Sequence, residues 1–190
     1  MIDSSKHKGL RKRLVDQLIE KGIESNEVLN AINTIPRHLF IDKDFESHAY
    51  VDKAFPIGSN QTISQPYTVA FQTSLLKLKA KVYTIERQHD LYRKAIKKLP
   101  LLGYKPELIK YGDGYLGIKE YAPYDKILIT AGAIDVPKKL LLQLKIGGEM
   151  VIPVGKNIQE MTFIKRESKN KFKKELMGKF SFVPMLKNTN

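Results

Sequence analysis

Residues 81–111 read KVYTIERQHDLYRKAIKKLPLLGYKPELIKY, and this stretch decides the fold. It predicts a strand over residues 81–85, a helix over residues 88–99 that Pro100 stops, and a second strand over residues 107–111. Two strands joined through a helix are parallel neighbours in most proteins. The stretch therefore indicates a βαβ unit and an α/β fold.

The alternation continues along the chain. Residues 126–130 form a run that is apolar on both faces, as expected for a central parallel strand covered by helices. A helix over residues 136–144 follows. Beyond it an antiparallel C-terminal edge is predicted from three segments: residues 149–154, 159–165 and 179–184.

Upstream of this core the chain is predicted to be helical. Leu10, Leu14 and Leu18 recur at helical spacing, which predicts a first helix that Gly22 closes. A second helix is predicted after Ser25, and Pro36 stops it. Residues 37–65 look loop-rich. A third helix is predicted from Pro66 to near Lys79. We expect one domain over residues 1–190, made of N-terminal helices with a loop (1–65) and an α/β core (66–190).

Composition excludes several classes of protein. There is no cysteine, hence neither a disulfide framework nor a thiolate metal site, and no run of about 18 apolar residues for a membrane span. The 33 Lys and Arg against 20 Asp and Glu give a net charge of +13, which favours contact with nucleic acid. The basic residues are interleaved with amphipathic patterns and lack an aromatic stripe, so a solvated surface is favoured. We expect a cytoplasmic monomer without specific nucleic-acid or membrane partners.

Polar residues end the predicted parallel strands, where α/β sheets bind ligands. Glu86 ends the first strand and can accept both hydroxyls of a ribose; the alternative is a surface charge beside Arg87. Asp113 lies between two glycines, Gly112 and Gly114. The glycines let the backbone approach a flat ring, and the Asp113 carboxylate can accept a hydrogen bond from an amine. The alternative is an ordinary turn. Small residues at positions 130–133 indicate a hollow above the sheet, or again a turn.

Other motifs do not support a chemistry of their own. Residues 112–117 formally spell G-x-G-x-x-G, but no helix begins inside them to receive a pyrophosphate. There is no P-loop and no G-x-S-x-G elbow. The four histidines lack paired metal-ligand spacing, so no metal site is predicted.

Residues 56–67, PIGSNQTISQPY, combine hydroxyls, amides and two prolines in one irregular segment. Thr62, Ser64 and Gln65 offer hydrogen bonds without charge, which is typical of a binding loop. The alternative is that Ser64 only caps the following helix. Spacing alone does not separate the two interpretations.

Six ordered segments together resemble protein-L-isoaspartate O-methyltransferases. The resemblance implies a Rossmann-like methyltransferase sandwich that uses S-adenosyl-L-methionine to methylate isoaspartyl carboxylates in damaged proteins, a protein-repair activity. The segments are PRHLF (36–40), PIG (56–58), QTISQPY (61–67), VYTIER (82–87), GDGYLG (112–117) and IPVG (152–155).

The resemblance also implies roles for single residues. Ser64 would act in the active site, with Thr62 and Gln65 on the substrate. Glu86 would hold the ribose of the donor, and Asp113 with Gly114 would lie beside its adenine. Gln159 corresponds to a further polar residue of the cofactor site.

One departure from the family is large. Between Leu78 and Val82 such enzymes carry a strand, a glycine-rich loop that cradles the methionine of the donor, and a helix, whereas this chain has three residues. We expect a deletion of on the order of 25 residues, roughly one strand and helix unit. The strand at Val82 is predicted to move beside residues 127–130, because unpaired backbone groups are unfavourable when buried.

The deletion also bears on function. Without the glycine-rich loop, very weak donor binding is predicted. The alternative to an active methyltransferase is a non-catalytic, peptide-binding remnant of the family that keeps the loop over residues 62–66.

Overall fold

The computed structural model describes residues 3–76 and 81–190. The chain divides into two compact units, Met1–Lys77 and Leu78–Asn190, and each is described by itself. The predicted organisation as one domain with a boundary at residue 65 stays a prediction.

The first unit is mainly helical. Ser4 caps its first helix through a capping box with His7, and Ser25 accepts from the Val28 N–H at the start of the second. Leu14 and Leu18 are buried at its centre, as the helical spacing predicts. The elements are α1 (Ser5–Glu20), α2 (Asn26–Thr34), 3-10 turns at Arg37–Phe40 and Lys43–His48, β1 (Phe55–Gly58), β2 (Gln61–Ile63) and α3 (Pro66–Leu76).

The β1–β2 hairpin lies within the stretch predicted as loop. Ser59 and Asn60 both have positive φ, 51° and 53°, which is the conformation of a two-residue hairpin turn. The predicted end of the third helix near Lys79 lies outside the described residues.

The second unit contains the predicted parallel strands. β3 pairs in parallel with β4, with Glu86 opposite Tyr111, which confirms the βαβ unit. Pro100 lies inside the last turn of α4 rather than stopping it. The elements are β3 (Tyr83–Glu86), α4 (His89–Leu101), β4 (Leu108–Tyr111), a 3-10 turn (Lys119–Tyr121), β5 (Tyr124–Leu128), α5 (Lys138–Leu142), β6 (Leu144–Val154), β7 (Gln159–Arg166) and β8 (Phe172–Phe180).

The predicted shift of the first core strand is wrong. In the described part of the chain β3 pairs with β4 alone, and a separate sheet has the order β5-β6-β7-β8. The prediction assumed that unpaired strand edges would be buried. Residues 83–86 and 127–129 are instead only half-buried, so water can satisfy the unpaired backbone groups and no rearrangement is required.

The C-terminal edge is antiparallel, as predicted, but its last strand is β8 and not residues 179–184. No strand was predicted over residues 172–178, where Lys173 and Lys174 belong to a basic run that favoured a solvated surface. Lysines on an outer strand oppose pairing with another chain, so the charge pattern marks an edge strand. Among the helices within residues 3–76 and 81–190, none combines the length and apolar character needed to cross a bilayer.

Candidate functional site

The carboxyl ends of β3 and β4 bring two of the predicted donor-binding residues to one edge. Glu86 is the last residue of β3 and pairs with Tyr111, the last residue of β4. The Gly112 N–H extends the ladder by donating to the Glu86 carbonyl oxygen at 3.0 Å. Asp113 follows at once, so parallel pairing places both carboxylates at the same end of the sheet.

Glu86 is half-buried, and only one of its carboxylate oxygens accepts a hydrogen bond within the described residues. Its Oε1 accepts from the Gln88 N–H at 2.7 Å, just before α4 begins, whereas Oε2 has no hydrogen bond in the described part of the chain. Arg87 does not neutralise it, because the Arg87 Nε donates to the Asn188 carbonyl oxygen at 2.9 Å. Glu86 therefore offers one free carboxylate oxygen at the strand end.

Asp113 forms the turn that was the alternative interpretation, and it also binds a residue distant in the sequence. Its Oδ1 accepts from the Tyr115 N–H at 2.8 Å, and its Oδ2 accepts from the Asn188 N–H at 2.9 Å. At Gly114 a Cβ would meet a single neighbour, the Met185 Cε at 3.3 Å. The missing side chain leaves room for the Met185 side chain at this position.

The predicted hollow at residues 130–133 is filled. The Gly132 N–H donates to the Val183 carbonyl oxygen at 2.8 Å, and the Met185 N–H donates to the Gly132 carbonyl oxygen at 2.7 Å. A Cβ on Gly132 would lie 2.8 Å from the Gln159 Cδ. Glycine is thus required here by close packing.

Gln159 is buried under this glycine, with 2% of its surface exposed. Its Oε1 accepts from the Phe182 N–H and its Nε2 donates to the Lys156 carbonyl oxygen, both at 2.9 Å. Both polar atoms of the side chain are therefore hydrogen-bonded to the main chain. Gln159 supports the segment that lies over Gly132, and its predicted contact with the cofactor stays a prediction.

The loop with the predicted substrate residues lies in the first unit. Thr62 is exposed on β2, and Ser64 is half-buried. Because α3 begins at Pro66, Ser64 lies one residue before the N-cap position, and the Tyr67 N–H of the first turn donates to Asp52 Oδ1 at 2.8 Å. The alternative role of Ser64 as the helix cap is therefore not realised, since Asp52 performs it.

Asp52 was missed by the sequence analysis although it organises this loop. Its carboxylate is 7% exposed and accepts from Gln65 Nε2 at 3.1 Å and Lys21 Nζ at 2.6 Å. Gln65 is thus held by Asp52. Arg37 donates to the carbonyl oxygens of Ala49 and Lys53 on either side, and burial lowers its pKa to about 10.

The first unit also holds a buried polar cluster. Arg11 donates two hydrogen bonds to Asp3, at 2.7 and 2.8 Å, and one to the Tyr50 hydroxyl at 3.0 Å. The Tyr50 hydroxyl is 2.6 Å from His38 Nδ1, while His38 Nε2 has no hydrogen-bond partner within residues 3–76 and 81–190. The Arg11 hydrogen bonds lower the pKa of Asp3, and burial lowers the pKa of His38.

Asp3, His7 and His38 place one ligand atom each within 4.8 Å of one another, a proximity that spacing could not show. The two imidazole rings are stacked, however, with centroids 3.8 Å apart and planes 17° from parallel. A metal is bound by the in-plane lone pairs of imidazoles, and stacked rings aim these lone pairs along parallel planes. Arg11 also occupies both Asp3 oxygens, so the cluster does not have the geometry of a metal site.

The α/β fold is that of a class of protein, the Rossmann-like methyltransferases. A solved protein-L-isoaspartate O-methyltransferase is similar with a TM-score of 0.81 and 23% identity, over 94% of this chain and 66% of that one. A Plasmodium falciparum protein of the same description, solved with S-adenosyl-L-homocysteine, has a TM-score of 0.79 and 22% identity, over 94% of this chain and 99% of its own.

The chain belongs to the protein-L-isoaspartate(D-aspartate) O-methyltransferase family, whose sequence profile matches residues 9–84 and 79–190. Proteins named protein-L-isoaspartate O-methyltransferase from Christiangramia forsetii, Flavobacterium psychrophilum and Flavobacterium johnsoniae are 51%, 48% and 46% identical to it. Each alignment covers 100% of both chains. Methyltransferases of this family use S-adenosyl-L-methionine.

Two features of these alignments bear on the predicted deletion. The profile matches in two parts, residues 9–84 and 79–190, which overlap at residues 79–84. The C. forsetii alignment has 213 positions, whereas this chain has 190 residues, so 23 positions lack a residue here.

Proposed function

We propose that this chain is a protein-repair methyltransferase that recognises the carboxylate of L-isoaspartyl residues, with S-adenosyl-L-methionine as methyl donor and with weakened donor binding. The observation that carries the proposal is the pair of carboxylates at the ends of β3 and β4, in a chain that aligns over its full length with such enzymes. Damaged proteins and peptides are the partners, and the cytoplasm is the expected location.

The residues present suit methyl transfer to a carboxylate. The substrate oxygen is already anionic, so no nucleophile from the protein is needed, and the donor carries the electrophilic methyl group. Opposite charges disappear as the bond forms, so neutral donors such as Ser64 and Thr62 suit the site better than fixed charges. Their task is to orient the isoaspartyl carboxylate, with Gln65 beside them.

The residues of this chain can bind the nucleoside half of the donor. The free Oε2 of Glu86 can accept a ribose hydroxyl. Each Asp113 oxygen accepts one main-chain N–H in the structure and has a further lone pair that can accept an adenine amine beside Gly114. No segment of this chain corresponds to the glycine-rich loop for the methionine half. We infer that the donor is held by its nucleoside half and binds weakly.

Calorimetric titration with S-adenosyl-L-homocysteine tests this inference. We expect a dissociation constant well above the micromolar range, weakened further in Asp113→Ala but unchanged in Asp125→Ala, a carboxylate on the exposed surface. Grafting the extra segment of the C. forsetii relative between Leu78 and Val82 should restore tight binding. Micromolar binding by the unaltered chain would contradict the inference that the missing glycine-rich loop weakens donor binding.

Methyl transfer is tested with an isoaspartyl peptide and its aspartyl isomer. We expect slow, isomer-specific methylation that the same graft accelerates. Ser64→Ala should lower the rate, whereas Ser47→Ala, an exposed serine of the same unit, should not. Equal rates on the two isomers would contradict the assigned substrate.

The second candidate function is a peptide-binding remnant without catalysis. The division of the strands into two separate sheets supports it, because the donor edge then lacks a central strand. Fluorescence anisotropy with a labelled isoaspartyl peptide separates the two. Peptide binding that persists while neither donor binding nor methyl transfer is measurable would favour the remnant.

A further inference from the structure

The second unit contains two strands that each have one unpaired edge. Within residues 81–190, β3 is hydrogen-bonded to β4 alone, and β5 is hydrogen-bonded to β6 alone. The two strands nevertheless lie near each other. The ring of Tyr83, at the start of β3, and the ring of Tyr124, at the start of β5, have centroids 6.0 Å apart. β3 and β5 are therefore in contact through side chains and not through backbone hydrogen bonds.

The unpaired edge of β5 faces the end of β3. Just after β5, the Ala133 N–H donates to a β6 carbonyl oxygen at 2.9 Å. Successive N–H groups of a strand point in opposite directions, so the Gly132 N–H points away from β6, and it donates to the Val183 carbonyl oxygen at 2.8 Å. From there the chain runs to Asn190, whose N–H donates to the Arg87 carbonyl oxygen just after β3. Both strands thus start on one side and end on the other, which makes them parallel. We call the space between them the strand slot.

Four main-chain N–H groups point into the strand slot. Glu86 points to β4, because its carbonyl oxygen accepts from the Gly112 N–H. Ile129 points to β6, because its N–H donates to the Val151 carbonyl oxygen. Alternation along each strand turns the intervening residues toward the slot. Within the described residues, these N–H groups are not paired with another strand; they belong to Tyr83, Ile85, Lys126 and Leu128.

The βαβ unit beside the strand slot has no buried apolar side chain. Of residues 81–117, only Gln88 is buried, and no residue of α4 is. The sheet on the other side of the slot does have a buried apolar cluster, to which Ile152 belongs. Ile85 and Ile127, on the two strands that border the slot, are only half-buried. An apolar strand placed between them would remove both from water.

We propose that the strand slot binds an extended apolar segment of another polypeptide, which pairs with β3 and β5 at the same time. An ordinary edge strand offers hydrogen bonds on one side of an added strand, whereas this slot offers them on both sides. Outside the described residues the chain has only residues 1–2 and 77–80, too few for a strand and its two connections. The net charge of +13 favours a neutral or acidic segment over a basic one.

A synthetic peptide tests the proposal. The probe is the labelled segment that the C. forsetii relative has and this chain lacks, and its control is the same peptide with prolines at two alternate positions, which cannot pair on both sides. Binding is followed by fluorescence anisotropy and by hydrogen exchange. With peptide at about ten times its dissociation constant, exchange at the four slot amides should slow about tenfold. The Ile164 amide, on β7, should not change, and the proline peptide should have no effect.

Two substitutions at one slot residue test the site from the side of the protein. Leu128→Pro removes an N–H that faces the slot and leaves the pairing of Ile127 and Ile129 with β6 in place. Leu128→Ala keeps this N–H and is the matched control. We expect Leu128→Pro to weaken peptide binding about tenfold and Leu128→Ala to weaken it less. Ile85→Pro makes the same test on β3 if Leu128→Pro does not fold.

Several results would overturn the strand slot as a peptide site. They are absence of peptide binding, equal binding of the proline peptide, and binding that leaves the four slot amides exchanging as fast as before. Slow exchange at these amides in a dimer without peptide would also overturn the proposal, because a second copy of the chain would then occupy the slot. None of these measurements involves the methyl donor, so each outcome leaves the proposed function to its own tests.

Discussion

Replacement of Asp52 by alanine should loosen the loop that carries the predicted substrate residues. The carboxylate is 7% exposed and accepts from the Tyr67 N–H, Gln65 Nε2 and Lys21 Nζ. Loss of the helix cap costs about 1 kcal/mol. The hydrogen bond from Gln65 contributes about 1 kcal/mol, and the half-exposed lysine adds about 0.5 kcal/mol after screening.

The expected loss of stability of the first unit is therefore about 2–3 kcal/mol. Amide exchange at Tyr67 measures it locally, and urea unfolding followed by circular dichroism measures it for the protein. Asp52→Asn, which keeps one acceptor oxygen, should recover part of the loss. Asp44→Ala is the control, since Asp44 is exposed on the same stretch of chain. If Asp52→Ala and Asp44→Ala had the same effect on Tyr67 exchange, the assignment of Asp52 as the cap and anchor would be refuted.

Two further predictions concern stability. Burial lowers the folded-state pKa of His38, so below pH about 6.5 the unfolded chain binds more protons than the folded chain. The stability that this histidine contributes should be full above that pH and fall as the pH drops. Urea midpoints measured against pH should therefore vary less in His38→Gln than in the parent chain, whereas His48→Gln should behave like the parent chain. Gly132→Ala should destabilise the protein by about 1–3 kcal/mol, because its Cβ would lie 2.8 Å from Gln159. Gly9→Ala, on a helix with open space around the residue, should stabilise it by about 0.5–1 kcal/mol. Equal thermal midpoints for the two variants would contradict the packing argument.

The alternation of strands and helices after residue 81 was predictable because its signals are local. Proline, glycine and β-branched runs act on their own neighbours, and they located β3, α4 and β4 to within a few residues. The β1–β2 hairpin and β8 were missed for different reasons. In the hairpin the turn residues were Ser-Asn rather than the commoner Asn-Gly, and in β8 the lysines of an edge strand resembled a solvated surface.

In the candidate site, too, some residues could be predicted from local sequence signals and others could not. Glu86 and Asp113 could be proposed from the sequence because the ends of parallel strands often bind ligands, and the structure places both residues at such ends. Asp52 was not found, since its partners Lys21, Gln65 and Tyr67 are 31, 13 and 15 residues away in the chain. The sequence carries no local pattern for such contacts.

Sequence alone determined the α/β class and the family, because both rest on the order of short segments. Tertiary structure alone decided which strand edges stay unpaired and which segment lies at the ends of β3 and β4. β3 stayed with β4 because half-exposed edges can be satisfied by water, and residues 185–190 reached Asp113 through contacts 75 residues apart in the chain. Neither outcome is encoded in local propensity, since both depend on which surfaces remain open after the strands have paired.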